Sequence, residues 1–157
     1  EKFIPLFATN AIDGEPLPLY GDGRQCRDWL SVYDHAAGIQ HVFEQGEPGT
    51  VYNVGGGNER ENITVAEQIV ATLGKSRSLI RFVQDRPGHD RRYSIDCRRL
   101  RALGWSPQVP FEEGLKQTVA WYRTHESWWR TIKSGEFKDY YQQQYAKRLQ
   151  QGTACGL

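Results

Sequence analysis

The chain has 157 residues, 38% of them hydrophobic and 12% aromatic, enough for one domain with a packed core and unlike a disordered polypeptide. Lys and Arg balance Asp and Glu to a formal net charge of +1, so there is no basic field of the kind that holds nucleic acid nonspecifically, and any anion preference has to be local. No apolar run approaches membrane-spanning length and no leader with an apolar core is visible, so neither membrane nor nucleic acid is expected as a partner.

In chain order, Phe3, Ile4, Leu6, Phe7, Ala11 and Ile12 recur at helical spacing and predict a helix that stops at Asp13 and Gly14. LPLYG at 17–21 reads as a short strand, DG at 22–23 as a turn and CRDWLSV at 26–32 as a second extended segment. Val32 to Phe43 predicts a helix with Ala36, Ala37, Ile39, Val42 and Phe43 on its core side, ended by Gly46. TVYNV at 50–54 predicts a buried strand leading into Gly55 to Gly57. Thr64 with Glu67 has capping-box spacing and opens a helix through Ile69 and Leu73 to Gly74. Leu79 to Val83 is expected to be extended, and Tyr93 to Ile95 a short strand. Asp96 should cap a short helix to Leu103, and Phe111 to Tyr122 is amphipathic. Trp29 and Trp121 are expected in the core. The last third predicts a helix over 136–149 and a flexible tail over 150–157.

The segment DRPGHDRRY, Asp85 to Tyr93, carries the clearest chemistry. Pro87 and Gly88 let the backbone reverse, so Arg86, His89, Arg91 and Arg92 can project into one small volume as an anion clamp. A guanidinium fork donates two parallel hydrogen bonds to one phosphate, which makes these residue types apt for that task. The alternative is a solvated loop whose arginines pair with Asp85 and Asp90. The glycine run VGGGN at 54–58 lacks GxGxxG spacing and is not followed directly by a helix, so it is expected to serve close backbone packing rather than a nicotinamide cofactor. Ser31, Ser94, His35, His41, His89 and His125 form no recognisable nucleophile motif. Cys26, Cys97 and Cys155 are odd in number and far apart, which argues against a disulfide framework or a zinc site and fits a reducing cytoplasm. The chain contains no methionine and opens with helical spacing already under way, which predicts a piece of a longer polypeptide.

The succession EKFIP, PLPLYGDGxxxRDWLSVxDHA, VYNVGGGNExxN, DRPGHDRRYSID, LGWSP and WWRTIKSG resembles the C-terminal half of the dTDP-glucose 4,6-dehydratase family of extended short-chain dehydrogenases/reductases, from Glu1 to about Arg148. RDW with VxD and YNxG is shared by many sugar-nucleotide enzymes; RPGHDRRY is much narrower. The resemblance implies an α/β fold, the small C-terminal substrate-binding domain of such an enzyme, with short strands and flanking helices over 1–149. It implies a homodimeric hydro-lyase whose N-terminal Rossmann domain, absent from this chain, binds NAD and carries the catalytic groups. That parent takes a hydride from C4 of dTDP-glucose, loses the C5 proton and the C6 hydroxyl as water, and returns the hydride to C6, on the way to deoxysugars such as dTDP-rhamnose. No catalytic residue and no cofactor is expected in this chain itself.

Residue by residue, the resemblance places Lys2 at the edge of the nucleotide pocket, and Pro18, Leu19 and Tyr20 against the base. Arg27 and Arg86 fall on the diphosphate, Asn62 after the glycine loop, and His89 near the ribose and phosphate. Arg27 could instead be an ion pair with Asp28, and Tyr20 a core residue. Another NAD-dependent sugar-nucleotide epimerase or dehydratase, or a noncatalytic binding module, are the alternative functions.

Overall fold

A computed structural model describes residues 2–151. The first helix, α1 (Phe3–Asp13), closes on Gly14 in the left-handed conformation, as its periodicity predicts. Strand β1 (Leu17–Tyr20) pairs in parallel with β4 (Ile80–Val83), Leu17 opposite Ile80 and Tyr20 opposite Val83. A parallel pair needs a long crossover, and here it contains a second pair, this one antiparallel, β2 (Cys26–Asp28) with β3 (Glu59–Glu61), and two helices, α2 (Val32–Gln45) and α3 (Asn62–Thr72). A turn of 3₁₀ helix at Arg77–Leu79 leads into β4, and α4 (Arg98–Ala102), α5 (Phe111–Thr124), α6 (Glu126–Ser134) and α7 (Glu136–Gln151) complete the order.

The core lies where α1, α3, α5 and β1 meet. Phe7, Ala8, Ala11, Leu17, Leu19, Val65, Ile69, Leu115 and Val119 are all buried there, and Tyr145 reaches in from α7. Phe3 stacks on Phe7 with ring centroids 4.1 Å apart, and Trp29, only partly buried, bridges Phe3 and Phe111. No helix among the described residues is long and apolar enough to cross a membrane.

Several expectations change. The helix over 32–45 is present, but its apolar side faces outward: Phe43 is 90% exposed, Ile39, Ala36 and Ala37 are exposed, and the buried positions are Asp34 and Gly38. Asp34 accepts backbone hydrogen bonds from Gln108 (2.9 Å) and Val109 (3.0 Å), while Ser31 caps the helix by accepting from the Tyr33 amide. TVYNV forms no strand, and Val51 is 75% exposed, because no other described segment runs alongside to complete the ladder. The second extended segment stops at Asp28, since Ser31 already starts α2. Tyr93 to Ile95 is reduced to one bridge between Cys26 and Arg92. The helix expected from Thr64 begins at Asn62, so Thr64 lies inside it, and Glu67 pairs with Arg77 at 2.7 Å instead of capping. Helix α6 was not foreseen; Trp129 anchors it, buried and donating from Nε1 to the Tyr122 carbonyl at 2.7 Å. Trp121, expected in the core, is 40% exposed and stacks on His125. Of the expected tail, Gln150 and Gln151 end α7 and 152–157 lie outside the described residues.

Candidate functional site

A cavity of about 970 Å³ opens between α1, β1, β2, the 85–93 loop, the start of α5 and α7. Lys2, Pro18, Leu19 and Tyr20 line it from the first part of the chain; Arg27, Asn62, Arg86 and His89 line it from three later segments. All eight positions that the resemblance places at the substrate therefore line one volume. They do not meet it equally. Leu17, Pro18 and Leu19 are all buried, Leu19 at 1% exposure, while Tyr20 at the end of the strand is half-buried on the cavity side.

Arg27 sits at the end of β2 and is held on several sides. It donates to the Cys26 carbonyl (2.7 Å), the Asp90 carbonyl (3.0 Å) and His89 Nε2 (3.0 Å), and its guanidinium lies 4.1 Å from the centroid of the Tyr93 ring. It makes no ion pair with Asp28, which accepts instead from the Asn58 amide at 2.7 Å. Arg86 is different. Only its backbone amide is bonded, to Asp85 at 2.9 Å, and its exposed guanidinium has no hydrogen bond or ion pair with the described residues.

Arg91 and Arg92 do not join the cavity. Arg91 grips Asp22 with two bonds of 2.8 and 3.0 Å, and Arg92 grips Glu59 with two of 2.7 and 2.8 Å, aided by the Ser94 hydroxyl at 2.6 Å. The expected fourfold clamp is thus split: the guanidiniums of Arg91 and Arg92 fasten the loop to the Asp22 turn and to β3, and Arg86 and the His89 ring are left at the cavity. The Asp22 turn reaches the loop because Gly21 adopts φ 56°, and a Cβ there would stand 2.9 Å from Asp85 Oδ2. The Arg92 guanidinium, then the Ser94 hydroxyl, holds the Glu59 carboxyl down at about 2. Its folded pKa lies below the free value of 4.5, so the loop's anchorage is complete above about 4.5 and fades as pH falls toward about 2. In Glu59→Gln, the acid-induced loosening of the loop between those values, followed by proteolysis at the loop, should flatten.

The far wall comes from α7, which sequence reasoning did not connect to the site. The Tyr20 hydroxyl accepts from Arg148 Nη1 at 2.9 Å and donates to the Tyr145 hydroxyl at 3.3 Å, and Arg148 also lies over the Tyr20 ring. Tyr141 and Tyr145 at helical spacing, followed by an arginine, were the available signal. Two polar atoms on the lining residues, Asn62 Oδ1 and Trp29 Nε1, are buried without a partner among the described residues.

The glycine run does not fit a dinucleotide. A Cβ on Gly55 would meet the Asp28 carboxylate and one on Gly56 the Trp29 carbonyl, so these glycines seat residues 28–29, and they lead into strand β3 and not directly into a helix N-terminus that could receive a pyrophosphate. No group of His, Cys, Asp or Glu among the described residues could hold a metal ion.

Residues 1–118 match the family described as GDP-mannose 4,6 dehydratase. The chain belongs to that family. Among curated members it is 50% identical over 135 residues to dTDP-glucose 4,6-dehydratase of Streptomyces niveus, and 46% identical over 156 residues to dTDP-glucose 4,6-dehydratase 1 of Escherichia coli K12. These alignments cover 85% and 94% of the chain but 40% and 43% of the relatives, so the chain spans less than half of their length. A solved structure of dTDP-glucose 4,6-dehydratase from Streptomyces venezuelae, with NAD and TYD bound, superposes with a TM-score of 0.81 at 47% identity, over 84% of this chain and 41% of that one. The mixed fold of helices and short parallel and antiparallel strands is thus that of the extended dehydratases and epimerases of this family.

Proposed function

We propose that this chain is the substrate-gripping portion of a dTDP-glucose 4,6-dehydratase and that its cavity receives the nucleotide diphosphate of dTDP-glucose. The observation that carries the reading is the convergence of Arg27 and Arg86, which are distant in sequence, on one cavity together with Tyr20 and Asn62. Arg86 and the donors that Arg27 keeps free take the two phosphates. Tyr20 offers its face to the thymine, with the buried Pro18 and Leu19 only backing its strand, Asn62 supplies its unpartnered amide oxygen, and Lys2 adds charge at the rim.

NAD, the proton-transfer groups and the dimer contacts belong, in this reading, to a Rossmann portion of a longer polypeptide. The outward apolar side of α2 and the strand-patterned but unpaired 50–54 segment are the surfaces suited to packing against that portion. In calorimetric titration the chain should bind dTDP-glucose in preference to GDP-mannose or UDP-glucose, without converting it. A preference for UDP-glucose would point to an epimerase, and no preference at all would sink the assignment.

A further inference from the structure

Asp85, His89 and Arg27 form a chain of hydrogen bonds whose direction is fixed by chemistry. His89 Nδ1 lies 2.6 Å from Asp85 Oδ1, and its Nε2 lies 3.0 Å from Arg27 Nη2. A guanidinium only donates, so Nε2 must present a lone pair, and the ring proton must sit on Nδ1, where the Asp85 carboxylate accepts it. Asp85 is prepared for this role. Burial alone would raise its pKa, but hydrogen bonds from His89 and from the Arg86 amide, with a further one from Gln25 Nε2 at 2.7 Å, bring it below the usual carboxylate value.

Both ring nitrogens of His89 are therefore engaged by protein, and the side chain is 6% exposed, with its ring against the edge of Tyr20. Arg27 uses three N–H groups on His89, Asp90 and Cys26, which leaves its Nε–H and one Nη1–H uncommitted. We infer that His89 is a positioning residue, which must be neutral and protonated on Nδ1 to aim Arg27 at an anionic ligand, and is not itself a ligand of the phosphate. The inference rests on the nucleotide-diphosphate reading of the cavity for the identity of that ligand, but not for the relay.

Protonation of the ring removes the acceptor at Nε2 and sets two cations 3.0 Å apart. The groups around it are Asp85, Arg86, Asp90 and Tyr93 on its own loop, Arg27 on β2, Tyr20 on β1, and Tyr145 and Arg148 of α7 beyond the Tyr20 ring. Asp85 is the one carboxylate bonded to the ring, the Asp90 carboxylate being taken by the Tyr93 hydroxyl, so Asp85 alone has to balance the imidazolium beside the guanidinium. Arg27 is expected to leave its place. The imidazolium would itself attract a phosphate, but with both nitrogens turned to protein it replaces little of what Arg27 gave.

The test uses dTDP-glucose, whose diesterified diphosphate keeps its charge as pH is lowered from about 8 to about 5, a range across which imidazoles titrate. Affinity of the chain should fall about tenfold, the loss of one charged hydrogen bond. His89→Gln, which offers Arg27 an uncharged acceptor that cannot be protonated, should keep most of the affinity and lose the pH dependence. His89→Phe, which keeps the ring against Tyr20, should bind about tenfold more weakly at every pH. Affinity that rises on acidification, or a pH step that survives in both variants, would overturn the inference.

Nitrogen NMR of the ligand-free chain gives an independent readout. The expected signature is a His89 ring with its proton on Nδ1 and an Arg27 guanidinium resonance that is displaced in His89→Phe; a proton on Nε2 refutes the relay outright. If that signature is present and dTDP-glucose fails to bind, the relay stands and the nucleotide reading falls.

Discussion

Leu19→Ala is expected to lower the free energy of unfolding by about 2–5 kcal/mol, the range for truncating a fully buried leucine. The side chain is enclosed in the core with Val65 and Ile69, and the turn that follows β1 closes against it: a Cβ on Gly23 would stand 2.6 Å from Leu19 Cδ2. Little room exists for the structure to collapse into the gap. Tyr20→Ala, one residue on, should behave in the opposite way. It removes a half-buried ring and its bonds to Tyr145 and Arg148, and its main effect should be an eroded preference for dTDP-glucose over GDP-mannose. Urea unfolding together with nucleotide competition separates the two. A Leu19→Ala chain within about 0.5 kcal/mol of the parent would show that the residue serves the cavity and not the core.

Arg86→Ala is expected to weaken dTDP-glucose binding by about 1.5–3 kcal/mol, or roughly 10- to 150-fold, as for loss of a hydrogen bond to a charged group. The exposed guanidinium has no ion pair among the described residues to lose, so its removal should leave the unfolding free energy almost unchanged. Arg27→Ala should weaken binding comparably but also cost stability, because its bonds to the Cys26 and Asp90 carbonyls and to His89 disappear with it. Both variants should lower affinity for dTDP- and GDP-sugars together and reduce the salt dependence of binding, since charge is read before base. Unchanged affinity of a folded Arg86→Ala chain would remove that arginine from the site.

The elements most legible in the sequence were those whose periodicity is generated by their own burial: α1 with its exit at Gly14, β1, β4 and α5. Where no described residue covers an apolar side, the pattern was read and its outcome was not. Ile39 and Phe43 have helical spacing, and Val51 lies in a strand-like run, yet all three are exposed, since spacing marks an apolar side without supplying a surface to pack on. The capping-box spacing of Thr64 and Glu67 lost to tertiary contacts, because the Asn62 and Ile63 amides bond the Gln25 and Gly23 carbonyls and draw the helix start back. At the site, residue chemistry singled out the loop and resemblance singled out the individual positions. Neither showed that Arg91 and Arg92 would be claimed by Asp22 and Glu59, carboxylates placed beside them only by the fold. Tyr145 and Arg148 were missed for the same reason, since α7 folds back to β1 across most of the chain length.

The two bidentate pairs that pin the loop at Arg91 and Arg92 lie outside the cavity, yet they bear on how quickly a ligand is captured. A loop fastened at these two places has already given up much of its conformational freedom when the chain folds, so, in the proposed reading, a nucleotide arriving at Arg86 would not have to organise the backbone that presents it. Association then resembles docking onto a rigid rim, with a rate set by encounter and electrostatic attraction and not by loop rearrangement. The same carboxylates that keep two arginines away from the ligand keep the remaining one in waiting.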